Sequence, residues 1–410
     1  MSRPTEETDP TRTEIQPAAP PPGGAAAPVR GSLGALAFAH FVNDGYINYL
    51  PAILPVLLQQ LSIPLALVGT LVLAIQGIGS LLQPVLGWWA DRTGGRRFTL
   101  VGLALSAIGA SLIGLAPSYW LLLVLLAIAG LGNSMFHPQT SAAARSLSGS
   151  RHGLRMSFFL IGGELGRGIW PSLASLLVLG VGLHGLWLLA LPGLAIVLLL
   201  SRVTPSQAPQ PVGSLRAALS DGGWRAGALV AFVGLRASTT YGVSTFVPLF
   251  WRARGGSLLG GASLISVMLL VGILGNLSGG FVVDRVGRRP VLLASSVLSA
   301  AFLTLFMVVD GYWLWVALAL LGIATFATAP VTMLIGQDLF HRSRSLGSGV
   351  ALGLGNLVGT VVVLVLGFVA ASHGLEAPLW WIAGVSLLGV PFALLLTNGE
   401  IGEQAAGSRA

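Results

Sequence analysis

The chain has no cysteine and no lysine, and charged residues fill only 9% of its 410 positions. Without cysteine there is no disulfide, no thiol nucleophile and no thiolate metal site. A soluble domain carries about a quarter charged residues, so this scarcity excludes one. Regular apolar–polar alternation is also missing, which favours a helical bundle over an outer-membrane barrel. The six histidines are scattered, with no H-E-x-x-H and no paired acidic cluster, so no metal is expected. No nucleophile–base arrangement points to an enzyme. The glycines from Gly349 to Gly359 follow no strand, so they read as helix packing rather than a dinucleotide fingerprint.

What remains is apolar: 54% of residues are hydrophobic and the mean hydropathy is +0.83. A spanning helix needs about 20 apolar residues. Runs of that kind fall at 34–58, 65–90, 98–116, 119–142, 154–178 and 183–201, then at 225–251, 258–283, 290–309, 312–336, 346–371 and 377–397. This predicts an all-α integral membrane protein of twelve transmembrane helices. The expected domains are a disordered tail (1–32), a six-helix bundle (33–201), a polar linker (202–223), a second bundle (224–398) and a short tail (399–410). The first tail lacks the basic start and brief apolar core of a signal peptide.

The net charge of +8 could suggest nucleic acid, but the arginines are placed by topology. They gather in the tails, in the linker and in every second loop. Only Arg252 and Arg254 fall in the opposite loops, and only Arg167 and Arg236 within runs. By the positive-inside rule both termini are expected in the cytoplasm, and nucleic-acid binding drops away. Trp88 and Trp89 near one boundary, and Trp120, Trp251, Trp313 and Trp315 near the other, read as interfacial anchors.

Two stretches repeat. "GWWADRTGGRR" (Gly87–Arg97) ends the second run and "GFVVDRVGRR" (Gly280–Arg289) ends the eighth, with Asp91 and Asp284 separated by 193 positions (284 − 91). The same offset pairs Pro55 with Pro248 and Gly166 with Gly359, as a duplication of six runs would. Gly95 makes the first copy one residue longer.

Twelve runs, the central linker and this doubled signature resemble the major facilitator superfamily over the whole chain. Within it, "SLLQPVLGWWADR" (Ser80–Arg92), "MFHPQTSAAAR" (Met135–Arg145), "RHGLRMSFFLIGGELG" (Arg151–Gly166) and "HFVNDG" in the first run are similar to the fosmidomycin resistance protein family. The resemblance implies two pseudo-symmetric six-helix bundles in a bacterial inner membrane, working as a monomer. It also implies efflux of a small toxic or metabolic compound, a drug or metabolite, in exchange for protons, with no cofactor beyond the proton gradient. That family's best-known substrate is an anionic phosphonate antibiotic. The fifth run departs from the family pattern, with Glu164 and Arg167 after the paired glycines instead of an Asn and small residues.

Ionisable residues at helix centres cost about 2.5–3.5 kcal/mol each on insertion scales, so each needs a reason. His40, Asn43, Asp44 and Asn48 share one helical face of the first run. By the resemblance this face, and that of Arg236, Thr240 and Ser244 in the seventh run, line the central cavity. Asp44 is either a proton carrier or a structural hydrogen-bond acceptor. Arg236 either binds a substrate anion or pairs with Asp44 or Glu164. Glu164 and Arg167, three apart, either neutralise each other or exchange partners during transport. His137, one turn after Asn133, relays protons, contacts substrate, or satisfies a helix interrupted by Pro138. Proton coupling is thus expected at Asp44, Glu164 and His137, and substrate binding at His40, Asn43, Asn133, Arg167, Arg236 and Thr240.

The repeated motif implies a gate. By the resemblance Asp91 faces the start of the eleventh run and Asp284 that of the fifth, where a carboxylate gains about 0.3–1 kcal/mol from a helix dipole. Gly87 and Gly280 would permit the approach, and Arg92, Arg96, Arg97, Arg285, Arg288 and Arg289 would join the network. The alternative is a pure topology determinant. An importer of an organic anion remains a rival within transport, and a non-transporting membrane sensor or scaffold a rival outside it.

Overall fold

The computed structural model describes residues 31–147, 152–203, 223–340 and 344–397, and no strand occurs among them. The expected linker and most of both tails lie outside the described residues. So do the side chain of Asp91 and those of the residues opening the fifth and eleventh runs. In lipid, backbone groups must be satisfied within the chain, and helices do this segment by segment.

The first half begins with α1, Gly31–Asn48, which breaks at Tyr49 and resumes as Leu50–Gln60 with Pro51 in its first turn. Next comes α2, built from Val68–Val72, a π-helical turn Leu73–Gly77 and Ile78–Thr93. Then follow α3 (Gly95–Ser111), α4 (Tyr119–Leu147), α5 (His152–Val181) and α6 (Ala190–Val203). The second half holds α7 (Gly223–Ala253), α8 (Leu258–Val286) and α9 (Arg288–Val308). After them come α10 (Trp313–Phe326 with Ala329–Leu339), α11 (Arg344–His373) and α12 (Glu376–Leu387 with Gly389–Thr397).

Among the described residues, nine helical segments are long and apolar enough to cross a membrane. The stretches carrying His40 and Asp44, Glu164 and Arg167, and Arg236 are not among the nine. They are the ones that carry an Asp, Glu or Arg in mid-run.

Lipid supplies little hydrophobic drive between helices, so close approach through small residues does the packing. Gly162 and Gly166 lay α5 against α1, where a methyl would overlap the carbonyl oxygens of Ala37 and Phe41. Gly355 and Gly359 lay α11 against α7 in the same way, at Val233 and Ala237. The repeat is therefore visible in packing as well as in sequence.

Gly94 and Gly287 hold φ of 96° and 83° at the one-residue turns after α2 and α8, a region that L side chains avoid. These two are the equivalent positions, so Gly95 is the surplus residue, added to the first turn of α3. In the fourth and tenth runs the offset is one less, Pro138 matching Pro330 at 192 (330 − 138), and by Gly166 and Gly359 it is 193 again (359 − 166).

One expectation needs correction. Pro138 does not interrupt its helix, since α4 runs unbroken from Tyr119 to Leu147. The motif glycines lie beside prolines of their own halves, while the side chains opening α5 and α11 lie outside the described residues. Gly87 lies against the ring of Pro138, where a Cβ would sit 3.3 Å away, and Gly280 approaches Pro330 at 4.0 Å. Each motif glycine thus makes room for a proline ring within its own half.

Among the described side chains, the buried apolar cluster that joins the halves lies at one end. One continuous cluster includes Tyr49, Leu54, Val68, Trp170 and Val178 from the first half with Phe246, Phe250, Ile265 and Val363 from the second. At this end Gly69 abuts Leu364, and Ser172 Oγ meets Ser266 Oγ at 2.8 Å. At the end nearer the chain termini the core divides. Leu36, Phe136, Phe159 and Leu200 form one cluster, and Phe232, Leu292, Val331 and Leu396 another. The described side chains therefore show halves sealed together at one end and separately cored at the other.

Candidate functional site

Polar groups from α1, α4 and α5 converge where the sequence placed its ionisable residues. Asp44 is the centre and is buried, at 7% exposure. His137 Nε2 lies 3.0 Å from its Oδ1, His40 Nε2 3.5 Å from its Oδ2, and Arg167 Nε 3.8 Å from Oδ2. One carboxylate thus faces two imidazoles and a guanidinium.

Each partner is fixed by its own surroundings. His40 Nδ1 is 3.0 Å from the Phe159 carbonyl oxygen, which can only accept, so Nδ1 carries the proton. Its ring stacks on Phe159 with centroids 4.4 Å apart and presses against Gly163, where any side chain would collide. Asn43 Nδ2 donates to Asn133 Oδ1 at 2.7 Å, tying α1 to α4. Interhelical bonds of this kind average only about 0.6 kcal/mol in membranes, so the Asn pair orients the helices more than it holds them. Asn48 Nδ2 donates to the Asp44 carbonyl at 2.8 Å, one residue before the α1 break. On either side of this point, the hydroxyls of Tyr46 and Tyr49 bond the Leu189 and Ala110 carbonyls, and the buried Trp170 packs on both rings.

Arg167 joins this cluster to the second half. Its Nη2 donates to Glu164 Oε1, and its guanidinium stands 5.8 Å from the Phe326 ring of α10. Tyr241 and Arg236 of α7 lie within electrostatic range of it. Arg236 forms none of the ion pairs considered for it: no carboxylate lies within 4 Å among the described residues, and its buried Nε has no hydrogen-bond partner. Beside it is a hydroxyl-lined recess between α7, α9 and α12, with Thr239, Ser295, Ser296, Ser299 and Ser386 on its walls. Thr240 Oγ1 donates back to the Arg236 carbonyl at 3.3 Å.

The structure thus brings His40, Asn43, Asp44, Asn133, His137, Glu164 and Arg167 together, with Arg236 and Thr240 across the seam. The expectation that scattered histidines leave no metal-type cluster needs correcting. His40, Asp44 and His137 place one donor atom each within 4.8 Å of one another. The π-helical turn in α2 was not foreseen; Gln76 within it donates to the Ile47 carbonyl at 3.3 Å. Only the runs around it, not a local signal, mark that turn.

Four of the motif arginines each have a partner within their own half. Arg92 lies 4.0 Å from the Trp88 ring centroid and Arg285 4.1 Å from that of Phe281. Arg96 donates to the Ser201 carbonyl, and Arg288 pairs with Asp338 at 2.6 Å. Asp284 is exposed at the divided end. At the sealed end, Arg254 pairs with Glu376 at 3.0 Å.

The chain resembles a set of transporters. It is 28% identical over 378 residues to the fosmidomycin resistance protein of Escherichia coli (strain K12), covering 90% of this chain and 93% of that protein. It is 26% identical over 391 residues to the uncharacterized MFS-type transporter YfnC of Bacillus subtilis (strain 168), with the same coverage. Among solved structures, a bacterial homologue of the human lysosomal transporter Spinster, inward-facing and unoccupied, superposes with a TM-score of 0.70 at 17% identity, covering 92% of this chain and 98% of that one. The nucleoside transporter NupG gives 0.72 at 17% identity, over 89% and 98%. These structural likenesses speak to the fold alone. The model of the Major Facilitator Superfamily matches residues 36–275 and 229–409, and the chain belongs to that superfamily of membrane transporters.

Proposed function

We propose that the chain is a proton-coupled exporter of a small anionic compound across a bacterial inner membrane, acting as a monomer by alternating access. The observation that carries this reading is that Arg167 is shared between Glu164 on its own helix and Asp44 on α1. Of the two carboxylates expected to carry the proton, Glu164 has the fewer ties: Asp44 is held by both His137 and Arg167, Glu164 by Arg167 alone. The relative named for fosmidomycin resistance supports the direction and the substrate class.

The coupling follows from charge. With Glu164 ionised, its carboxylate offers acceptor oxygens and Arg236 has no carboxylate of its own. A substrate then sets its anionic group on Arg236 and an O–H or N–H donor on Glu164. A proton on Glu164 removes that acceptor and frees Arg167 for Asp44. Substrate and proton therefore compete, which is the requirement for antiport. The Glu164–Arg167 pair also favours a second reading. If the substrate contacts only arginines, a proton on Glu164 frees a second guanidinium, anion and proton bind together, and the transporter is an importer.

The two readings part in one assay. Inverted membrane vesicles containing the protein are expected to accumulate radiolabelled fosmidomycin when their interior is made acidic, and to bind it more tightly at alkaline pH. Tighter binding at acidic pH, or no accumulation, contradicts export.

The positive-inside bias supports assigning the divided end to the cytoplasm. In this orientation the repeated motif acts as a latch that engages when that end closes. Asp91 and Asp284 would then meet the starts of α11 and α5, and their neutralisation shifts the equilibrium inward. The chain has no native cysteine, so a single cysteine introduced in the cytoplasmic cavity reports this directly. Asp91→Asn is expected to raise its labelling rate several-fold over the unmodified latch; an unchanged rate leaves Asp91 as a topology determinant only.

A further inference from the structure

Within the polar cluster, two acceptors face each other. His40 donates through Nδ1 to the Phe159 carbonyl, so its neutral ring presents the Nε2 lone pair toward Asp44 Oδ2 at 3.5 Å. A lone pair and a carboxylate oxygen repel unless a cation stands between them. The separation suits a metal: two ligands about 2.0–2.1 Å from a tetrahedral ion stand about 3.4 Å apart. His137 Nε2, 3.0 Å from the other Asp44 oxygen, completes a three-donor face in which every donor atom lies within 4.8 Å of the others.

The surroundings are those that metal-binding imidazoles use. A ring nitrogen bonded to a backbone carbonyl fixes the tautomer and aims the other nitrogen. Stacking on Phe159 and contact with Gly163 hold the His40 ring in place. His137 is the accessible member, with 24% of its side chain exposed against 7% for that of His40, and marks the entry side. Glu164 neutralises Arg167, so that guanidinium does not oppose a cation at full strength.

We propose that His40, Asp44 and His137 form a binding site for a divalent transition-metal ion of the zinc or cobalt class, with water in the fourth position. Binding displaces the His137 Nε2 proton, which the ring regains at Nδ1 from solvent. The ion joins α1 to α4 and therefore stabilises the first half. The proposal does not depend on what is transported or in which direction.

Titration of the purified, untagged protein with Co2+ tests it. The expected result is a visible absorption band of tetrahedral cobalt that saturates at one ion per chain. The absence of cysteine removes any thiolate background. His40→Gln and His137→Gln are expected to abolish the band, whereas His373→Gln, on the exposed end of α11, leaves it intact. As a check that needs no substitution, zinc-edge X-ray absorption of the unmodified protein is expected to show two imidazole nitrogens at about 2.0–2.1 Å. No saturable band, a band that persists in both variants, or a zinc shell without imidazole overturns the proposal, whatever the vesicle transport assay shows.

Discussion

Replacing Glu164 with Gln is expected to abolish the response of transport to a pH gradient while leaving passive substrate exchange measurable. Gln keeps the size of the side chain and an acceptor oxygen for Arg167 Nη2, but it cannot ionise. The ion pair between Glu164 and Arg167 becomes a hydrogen bond from a guanidinium to a neutral amide, which keeps the contact and loses the charge–charge attraction. More importantly, the proton and the substrate no longer share a site, so an imposed gradient has nothing to act on. Arg167→Ala separates coupling from binding. It leaves the Glu164 carboxylate in place with Arg236 across the seam, so gradient-driven transport persists with weaker substrate binding. Measurements in proteoliposomes with and without a gradient decide the matter. Full gradient response in Glu164→Gln, or an equal loss of folded protein in both variants, makes the pair purely structural.

How much of this was legible in the sequence depends on the range of the interaction. The polar face of α1 could be read directly, because His40, Asn43, Asp44 and Asn48 recur at helical spacing and that spacing survives folding. The Glu164–Arg167 pair was legible for the same reason. What joins helices was not. Nothing local indicates that the Phe159 carbonyl fixes the His40 tautomer, or that His137 reaches the same carboxylate as His40. The neighbour of Gly87 was not legible either. Its place in the motif suggested an approach to the other half, and nothing local announced that it also accommodates Pro138, 51 positions on (138 − 87) and in the same half. The repeat itself was legible, and the structure added the reason for its irregularity at Gly95. The helix-ending position is Gly94, matched to Gly287 by positive φ, so the extra residue sits in a helix start that tolerates it.

Alternating access requires that the sealed end open. Ser172 on α5 and Ser266 on α8 come from opposite halves and touch through their hydroxyls at 2.8 Å. A disulfide needs Cβ atoms about 3.5–4.5 Å apart, a span that a direct hydroxyl contact permits. Their neighbours Trp170, Ala174, Ile265 and Met268 belong to the one core cluster that spans both halves, so a covalent bridge here fastens the seam. The chain supplies no other cysteine, and Ser172→Cys with Ser266→Cys therefore yields a single possible intramolecular pair. Under oxidation the variant is expected to lose transport essentially completely while retaining access to its cavity from the cytoplasmic side. Reduction restores the rate. The most direct measurement is therefore vesicle transport by this double variant before and after reduction, with bridge formation followed in parallel by peptide mass. Silenced transport that returns with reductant is the result this account predicts. A fully bridged protein that transports at the reduced rate would contradict it, because the two halves would then move substrate without parting at that end.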